Sequence, residues 1–147
     1  MNAAQMEETL DQIVDGVFDG MALGTVRSNK EVAAYVAAQP EFVQTAYYLD
    51  LLHAEVLNGG FAQWKDNCGA DAVGPTIHAA QRVGHYFAIA NEVAALVHAA
   101  SRTRSLKTLD ILDTAFYGLV DEDRYGNFRK RVAEYVTEQY AAALVSA

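Results

Sequence analysis

The sequence has little of what secreted, membrane-spanning or nucleic-acid-binding proteins need. Among its 147 residues there is one cysteine, Cys68, so no internal disulfide can form, which is typical of a reducing, intracellular compartment. No apolar run approaches the ~20 residues of a membrane-spanning helix. Residues 1–10 lack the basic stretch and apolar core of a signal peptide. We therefore expect a cytoplasmic protein that does not bind membranes.

Basic residues are scarce as well, since 11 lysines and arginines stand against 19 acidic residues, for a net charge of −8. This balance disfavours direct binding to nucleic acid, which needs a basic footprint. It suits a basic protein partner, although many soluble domains are acidic for solubility alone. Proline is limited to Pro40 and Pro75, and 52% of the residues are hydrophobic, which favours a globular, helical chain.

Apolar residues recur at the three- and four-residue spacing of amphipathic helices along most of the chain. The predicted helices cover residues 3–18, 28–38, 41–57, 61–67, 75–100 with a break at Gly84, 106–119 and 123–144. Ser28 and Glu31 have the spacing of a capping box, and Pro40 suits the first position of a helix. The sequence thus predicts a single all-α domain over residues 1–147, an irregular bundle of about six to eight helices.

The most informative segment is residues 55–69, EVLNGGFAQWKDNCG. Two consecutive glycines end one helical pattern and permit a sharp reversal before the next. Four side chains with several hydrogen-bonding atoms flank the reversal, namely Glu55, Asn58, Gln63 and Asn67. One interpretation is structural, in which these groups satisfy backbone atoms at the two helix ends while Phe61 and Trp64 pack beneath. The alternative is a ligand or partner contact through Glu55 and Gln63.

The same segment resembles the N-G-G-F-x-Q-aromatic hallmark of a family of small bacterial proteins best known for an acidic DNA-mimic protein. The matching residues are Glu55, Asn58, Gly59, Gly60, Phe61, Gln63, Trp64, Asn67 and Gly69. Two weaker segments, AAQRVG at 79–84 and LDILDTAFY at 109–117, also resemble family segments. The resemblance assigns a family core to residues 40–147, preceded by N-terminal helices in residues 1–39.

The resemblance implies an all-helical fold, commonly dimeric, with no known enzymatic activity and no cofactor. One member of that family binds a transcription factor by presenting a DNA-like array of carboxylates. Two features of this chain depart from the family pattern. His85 stands where many relatives have a small residue, and Arg129-Lys130-Arg131 place positive charge on a chain that would mimic a polyanion.

Two blocks without a basic residue carry most of the excess acid. The first block contains Glu7, Glu8, Asp11, Asp15 and Asp19, and the second contains Asp110, Asp113, Asp121, Glu122 and Asp123. In the first block every fourth residue is acidic, at Glu7, Asp11, Asp15 and Asp19. A helix would therefore place these carboxylates ~6 Å apart. DNA phosphates advance ~3.4 Å per strand, which is of the same order. A plain solvated face is one interpretation, and a DNA-like face for a basic protein is our hypothesis.

Histidines raise a competing chemistry. His53, His78 and His85 are weak candidate metal ligands, and with Glu55 they could serve a small helical metal-dependent or ligand-binding enzyme. No H-x-x-x-H or E-x-x-H pair is present, so we predict no metal site. Cys68 has no indicated acid–base partner that would make it a nucleophile.

The sequence therefore predicts a non-enzymatic regulator that sequesters a DNA-binding protein such as a transcription factor. Homodimerisation is a further expectation. The alternative within the same class is an acidic immunity or inhibitor protein for a basic nuclease.

Overall fold

The computed structural model describes residues 1–121 and 127–146. In that part of the chain there are seven α-helices, one 3-10 turn and no β-strand. The helices in chain order are α1 (Ala3–Leu23), α2 (Asn29–Ala37), α3 (Glu41–Cys68), α4 (Val73–Gly84), α5 (Ile89–Ser101), α6 (Leu106–Val120) and α7 (Phe128–Ser146), with the 3-10 turn at Ala70–Ala72. The predicted all-α class and number of helices are confirmed.

Two helices begin at capping boxes. Asn2 caps α1 together with Gln5, and Ser28 caps α2 together with Glu31, as predicted for the second pair. In each box the side chains of the two residues bind each other's backbone N–H, so two donors at the helix end are satisfied. The N-termini of α1 and α2 are therefore specified by local sequence.

The predicted end of α1 at residue 18 was wrong, because the helix continues to Leu23. A glycine inside a helix costs only about 1 kcal/mol relative to alanine, and here Met21 beyond Gly20 is buried in the core. The Tyr35 ring of α2 packs against the bare Gly20 backbone, where a Cβ atom would collide with it. Packing against α2 thus offsets the weak helix propensity, and Asp19 lies within a continuous helix.

The start of α4 also differs from the prediction. Helix α4 begins at Val73, two residues before Pro75, because proline is tolerated in a first turn whose N–H groups have no intrahelical acceptor. The break at Gly84 is confirmed, since α5 begins only at Ile89. The predicted start of the last helix at residue 123 lies outside the described residues.

Helix α3 lies at the centre of the core, with α1, α4, α6 and α7 packed around it. Its side chains Leu49, Leu52 and Val56 are fully buried. Helix α1 also packs along α7, and α5 joins α4 to α6. None of the helices in the described part of the chain is long and apolar enough to cross a membrane.

Candidate functional site

Helix α3 is sharply kinked at its two glycines. Gly59 has φ −152° and ψ 17°, and Gly60 has φ 75° and ψ −179°. The conformation of Gly60 is essentially restricted to glycine. The N–H of Phe61 donates a 2.7 Å hydrogen bond to Oδ1 of Asp113 on α6. The Asp113 carboxylate therefore caps the second half of α3, where the kink removes the usual backbone acceptor.

The polar side chains around the kink bind one another. Oε2 of Glu55 accepts hydrogen bonds of 2.8 Å from both Gln63 Nε2 and Asn67 Nδ2. Asn58 Nδ2 donates to Gln63 Oε1 at 3.2 Å. In a straight helix the backbones of residues 55 and 67 would be ~18 Å apart, so this contact requires the bend. The partners are other side chains, which corrects the expectation that these groups satisfy backbone atoms.

Aromatic packing holds the kink against α6. Phe61 and Trp64 are fully buried, and their ring centroids lie 6.2 Å apart, edge to face. Phe61 also packs edge to face on Phe116 of α6 at 5.6 Å. Such pairs add about 0.5–1.5 kcal/mol beyond the burial of their area, so the two halves of α3 are fixed relative to α6.

A cavity of about 250 Å³ lies beside the kink, between α1, α2 and α3. Glu55, Asn67 and Cys68 line it, together with the rings of Tyr47 and Tyr48. Burial, and secondarily the charge of Glu55, raises the pKa of the Cys68 thiol to about 11. The thiol is therefore protonated near neutral pH, which does not suit a nucleophile.

The first acidic block lies entirely on α1. Glu7, which belongs to the predicted stripe, is half-buried and pairs with Arg129. The outward row, which we call the acidic face, consists of the exposed residues Glu8, Asp11, Asp15 and Asp19. The row spans ~16 Å of helix axis, at the 1.5 Å rise per residue. Leu10, Val14 and Val17 on the opposite side of α1 are buried, which holds the carboxylates towards solvent.

Arg129 of α7 lies among acidic side chains that are distant in the sequence. Its guanidinium pairs with Asp50 at 3.0 Å, with Glu7 at 3.6 Å and with Asp11. Burial by itself lowers the pKa of Arg129, but the carboxylates of Asp50 and Asp11 outweigh burial and raise it. Three carboxylates around one guanidinium leave a formal charge of −2. Part of the predicted basic cluster is thus neutralised locally.

This ion-pair cluster was missed in the sequence. The available signal was Asp50, an acid on an otherwise apolar stretch of α3, because a half-buried carboxylate needs a charged or hydrogen-bonding partner. Nothing in the local pattern indicates which basic residue supplies it.

The described residues of the second acidic block do not form one surface. Asp110 is exposed, whereas Asp113 is half-buried and bound to the kink. Asp121 is exposed and lines a cavity of about 290 Å³ with Glu7 and Arg129, so this end of the block approaches the first block. Glu122 and Asp123 lie outside the described residues.

The residues of the enzymatic alternative are not gathered in one place. His78 and His85 are exposed at α4. His53 lines the cavity that contains Glu7, whereas Glu55 lines the cavity beside the kink. Within residues 1–121 and 127–146, no group of three or more His, Cys, Asp or Glu could hold a metal ion.

The fold and these sites define a class, an all-helical acidic protein with a Gly-Gly kink in its central helix. A family model described as DMP19-like protein matches residues 37–139. The chain therefore belongs to the DMP19-like protein family, named for DNA mimic protein 19, and the resemblance seen in residues 55–69 is confirmed. The chain matches neither a curated protein nor a solved structure. Helix α1 with its acidic face precedes the matched residues.

Proposed function

We propose that this protein is a non-enzymatic regulator that sequesters a DNA-binding protein by presenting the acidic face of α1 in place of duplex DNA. The observation that carries the proposal is the row of exposed carboxylates Glu8, Asp11, Asp15 and Asp19 on one continuous helix. Membership of a family named for a DNA mimic supports the same function.

Rigidity makes this row suited to imitating a phosphate backbone. Helix α1 is anchored along α7 and α3, and Arg129 ties Glu7 and Asp11 to Asp50 of α3. Carboxylates held at fixed spacing offer a basic surface a preorganised array, which costs less ordering entropy than a flexible acidic segment would. A row of one charge sign also accelerates encounter with a basic partner.

The second block extends this face at one end only. Asp121 lies at the cavity that also contains Glu7, so we include it in the proposed partner surface. Asp110 is a further exposed carboxylate on α6, and Asp121 directly follows the last residue of that helix. Asp113 is assigned to the kink, because its carboxylate already binds the Phe61 N–H.

The test neutralises the acidic face without touching the Arg129 ion pairs. The triple variant Glu8→Gln, Asp15→Asn, Asp19→Asn should lose capture of a DNA-binding protein from lysate of the source organism while its thermal unfolding midpoint stays within a few degrees. The matched control, Asp66→Asn, Glu92→Gln, Glu138→Gln, removes three exposed carboxylates from other helices and should capture as the wild type does.

The captured protein, identified by mass spectrometry and purified, should then release labelled duplex DNA when the wild-type chain is added. Equal capture by the two triple variants would contradict the proposal. A captured protein that binds duplex DNA and this chain at the same time would also contradict it, because a DNA mimic and duplex DNA must compete for one surface.

A further inference from the structure

The cavity beside the kink combines one carboxylate with aromatic and apolar walls. Its volume is about 250 Å³, below the ~300–1,000 Å³ of sites for drug-sized ligands. It is therefore suited to one long side chain or a small organic molecule. Phe18 of α1 and Asn29 of α2 close it opposite α3, so three helices contribute to its walls.

The hydrogen-bond pattern around Glu55 leaves acceptors at this end of the cavity. Oε2 of Glu55 takes the N–H groups of Gln63 and Asn67, and a carboxylate has acceptor capacity beyond two hydrogen bonds. The Asn67 amide nitrogen donates to Glu55, and the Asn67 amide oxygen is a further acceptor. A ligand that enters between Glu55 and Asn67 must therefore bring donors.

The electrostatic environment of the cavity favours a cation. The charge of Glu55 contributes, after burial, to raising the pKa of Cys68 to about 11. Burial, followed by the charges of Asp71 and Cys68, also raises the pKa of Tyr48. Burial, the larger cause of both shifts, disfavours any unpaired charge, whereas the Glu55 carboxylate disfavours a second negative charge and attracts a positive one. Among the described residues that line the cavity, none is basic.

Aromatic rings complete the lining. Tyr47 and Tyr48 pack edge to face with centroids 5.2 Å apart, and Phe18 lies against Tyr47 at 5.5 Å. Cations are attracted to the faces of such rings, and a guanidinium also stacks on them while its donors bind acceptors in a plane.

We infer that this cavity binds an alkyl-guanidinium or alkyl-ammonium group, with Glu55 as the counter-charge, Asn67 as a further acceptor and the aromatic rings around the alkyl stem. That chemistry occurs in a free small amine or guanidine and in an arginine or lysine side chain of another protein. None of the four acidic-face residues lines the cavity, and the inference goes beyond the function proposed for that face.

The test is a titration of the full-length ¹⁵N-labelled chain followed by NMR, with n-butylguanidinium and with N-acetyl-arginine amide as probes. Saturable shifts are expected at the side-chain amides of Asn29 and Asn67 and at the backbone of Cys68. The uncharged n-butylurea, of nearly the same shape, should bind at least about tenfold more weakly, since it lacks the charge that Glu55 attracts.

The matched variants are Glu55→Gln and Asp66→Asn. A glutamine oxygen can still accept both amide hydrogen bonds, so Glu55→Gln keeps the network and removes the charge, and it should weaken butylguanidinium binding at least about tenfold. Asp66→Asn removes an exposed carboxylate from the same helix and should leave binding unchanged. Circular dichroism and the unfolding midpoint establish that both variants are folded.

Binding of both cations would support a site open to a protein side chain, and binding of butylguanidinium alone would support a site for a free small molecule. The inference is overturned if neither cation shifts the cavity resonances, if butylurea binds as well, or if Glu55→Gln binds like the wild type. The acidic-face triple variant should bind butylguanidinium normally, so failure of either proposal is distinguishable from failure of the other.

Discussion

Arg129 shows how one residue redistributes charge on an acidic protein. Its side chain is only 23% exposed and pairs with carboxylates from α1 and α3. Arg131 pairs with Glu134 at 3.1 Å and its guanidinium lies 5.5 Å from the Phe87 ring centroid. Two of the three residues in the basic cluster are therefore bound to the protein's own side chains, and the cluster does not act as one basic patch.

Removal of the Arg129 guanidinium should destabilise the protein. In Arg129→Met, Asp50 and Glu7 keep their charge but lose their charged partner, at a cost of about 1–3 kcal/mol in the free energy of unfolding. Urea denaturation followed by circular dichroism measures this. Lys130→Met, which changes the exposed neighbour, should stay within about 0.5 kcal/mol of the wild type. Equal effects of the two substitutions would show that the ion pairs contribute nothing.

The Cys68 thiol provides a pH-dependent probe of the kink. Its pKa in the folded state is raised to about 11 from an ordinary value of 9.0. Alkylation by iodoacetamide should therefore be slow at neutral pH and rise with pH up to about 11, because only the thiolate reacts. In Glu55→Gln the rise should come at lower pH, since one of the two causes of the shift is gone. A midpoint near 9 in the wild type would contradict the assigned burial.

The same shift has a consequence for stability. A thiol with a raised pKa in the folded state contributes stability that is complete below about pH 9 and is lost as pH rises through about 11. Cys68→Ser should remove this contribution, so the variant should lose less stability than the wild type between those two pH values in urea titrations. Parallel pH profiles for the two proteins would exclude this contribution.

At the scale of secondary structure, α3 is two helical pieces joined by a glycine-specific link. The kink places Glu55 of the first piece against Gln63 and Asn67 of the second. It also exposes the N–H of Phe61 to Asp113 of α6. One backbone feature therefore connects the central helix, the cavity and the second acidic block.

Substitution of Gly60 should be costly. Its φ of 75° with ψ of −179° is unfavourable for other residues by about 1–3 kcal/mol, and a Cβ atom would overlap the Asp113 carboxylate. Gly60→Ala should therefore lower the free energy of unfolding by at least about 2 kcal/mol. Chemical denaturation of the purified variant is the measurement.

Gly16 offers the matched control, because it lies inside α1 and a Cβ atom there would have no neighbour within 4 Å. Gly16→Ala should raise stability by about 0.5–1 kcal/mol through helix propensity. If both glycine substitutions shifted stability in the same direction, the glycine requirement inferred for Gly60 at the kink would be contradicted.

For the molecule as a whole, the net charge of −8 is distributed unevenly. The acidic face lies on α1, which precedes the family-matched residues 37–139. The kink and the Asp110–Asp121 segment lie within them. The proposed partner surface thus combines α1, which precedes the matched residues, with Asp121, which follows α6 within them.

Partner binding should depend steeply on ionic strength. Exposed charges are screened beyond ~8–10 Å at physiological salt, so affinity for the captured protein should fall by more than about tenfold between about 50 and about 300 mM NaCl. Butylguanidinium binding at Glu55, in a partly enclosed cavity, should fall much less. Calorimetric titrations at several salt concentrations measure both. A salt-insensitive partner would indicate an apolar interface instead of the acidic face.

Local signals in the sequence determined the helical class, the Ser28 capping box, the break at Gly84 and the Gly59-Gly60 kink. Each depends on residues within a few positions of one another, so periodicity and turn chemistry suffice. The same local motif identified the family. Local propensity failed at the end of α1, where contact with α2 overrides Gly20.

Only the tertiary structure decided which carboxylates face solvent. Asp113 binds Phe61 across 52 residues, and Arg129 reaches Asp11 across 118. Neither pair can be predicted from the spacing of nearby residues, because both pairs depend on how distant helices pack. The cavity at Glu55 likewise exists because α1 and α2 close over α3. The sequence alone gives the net charge of the protein, whereas the packing of the helices determines which of the charged side chains are exposed to a partner.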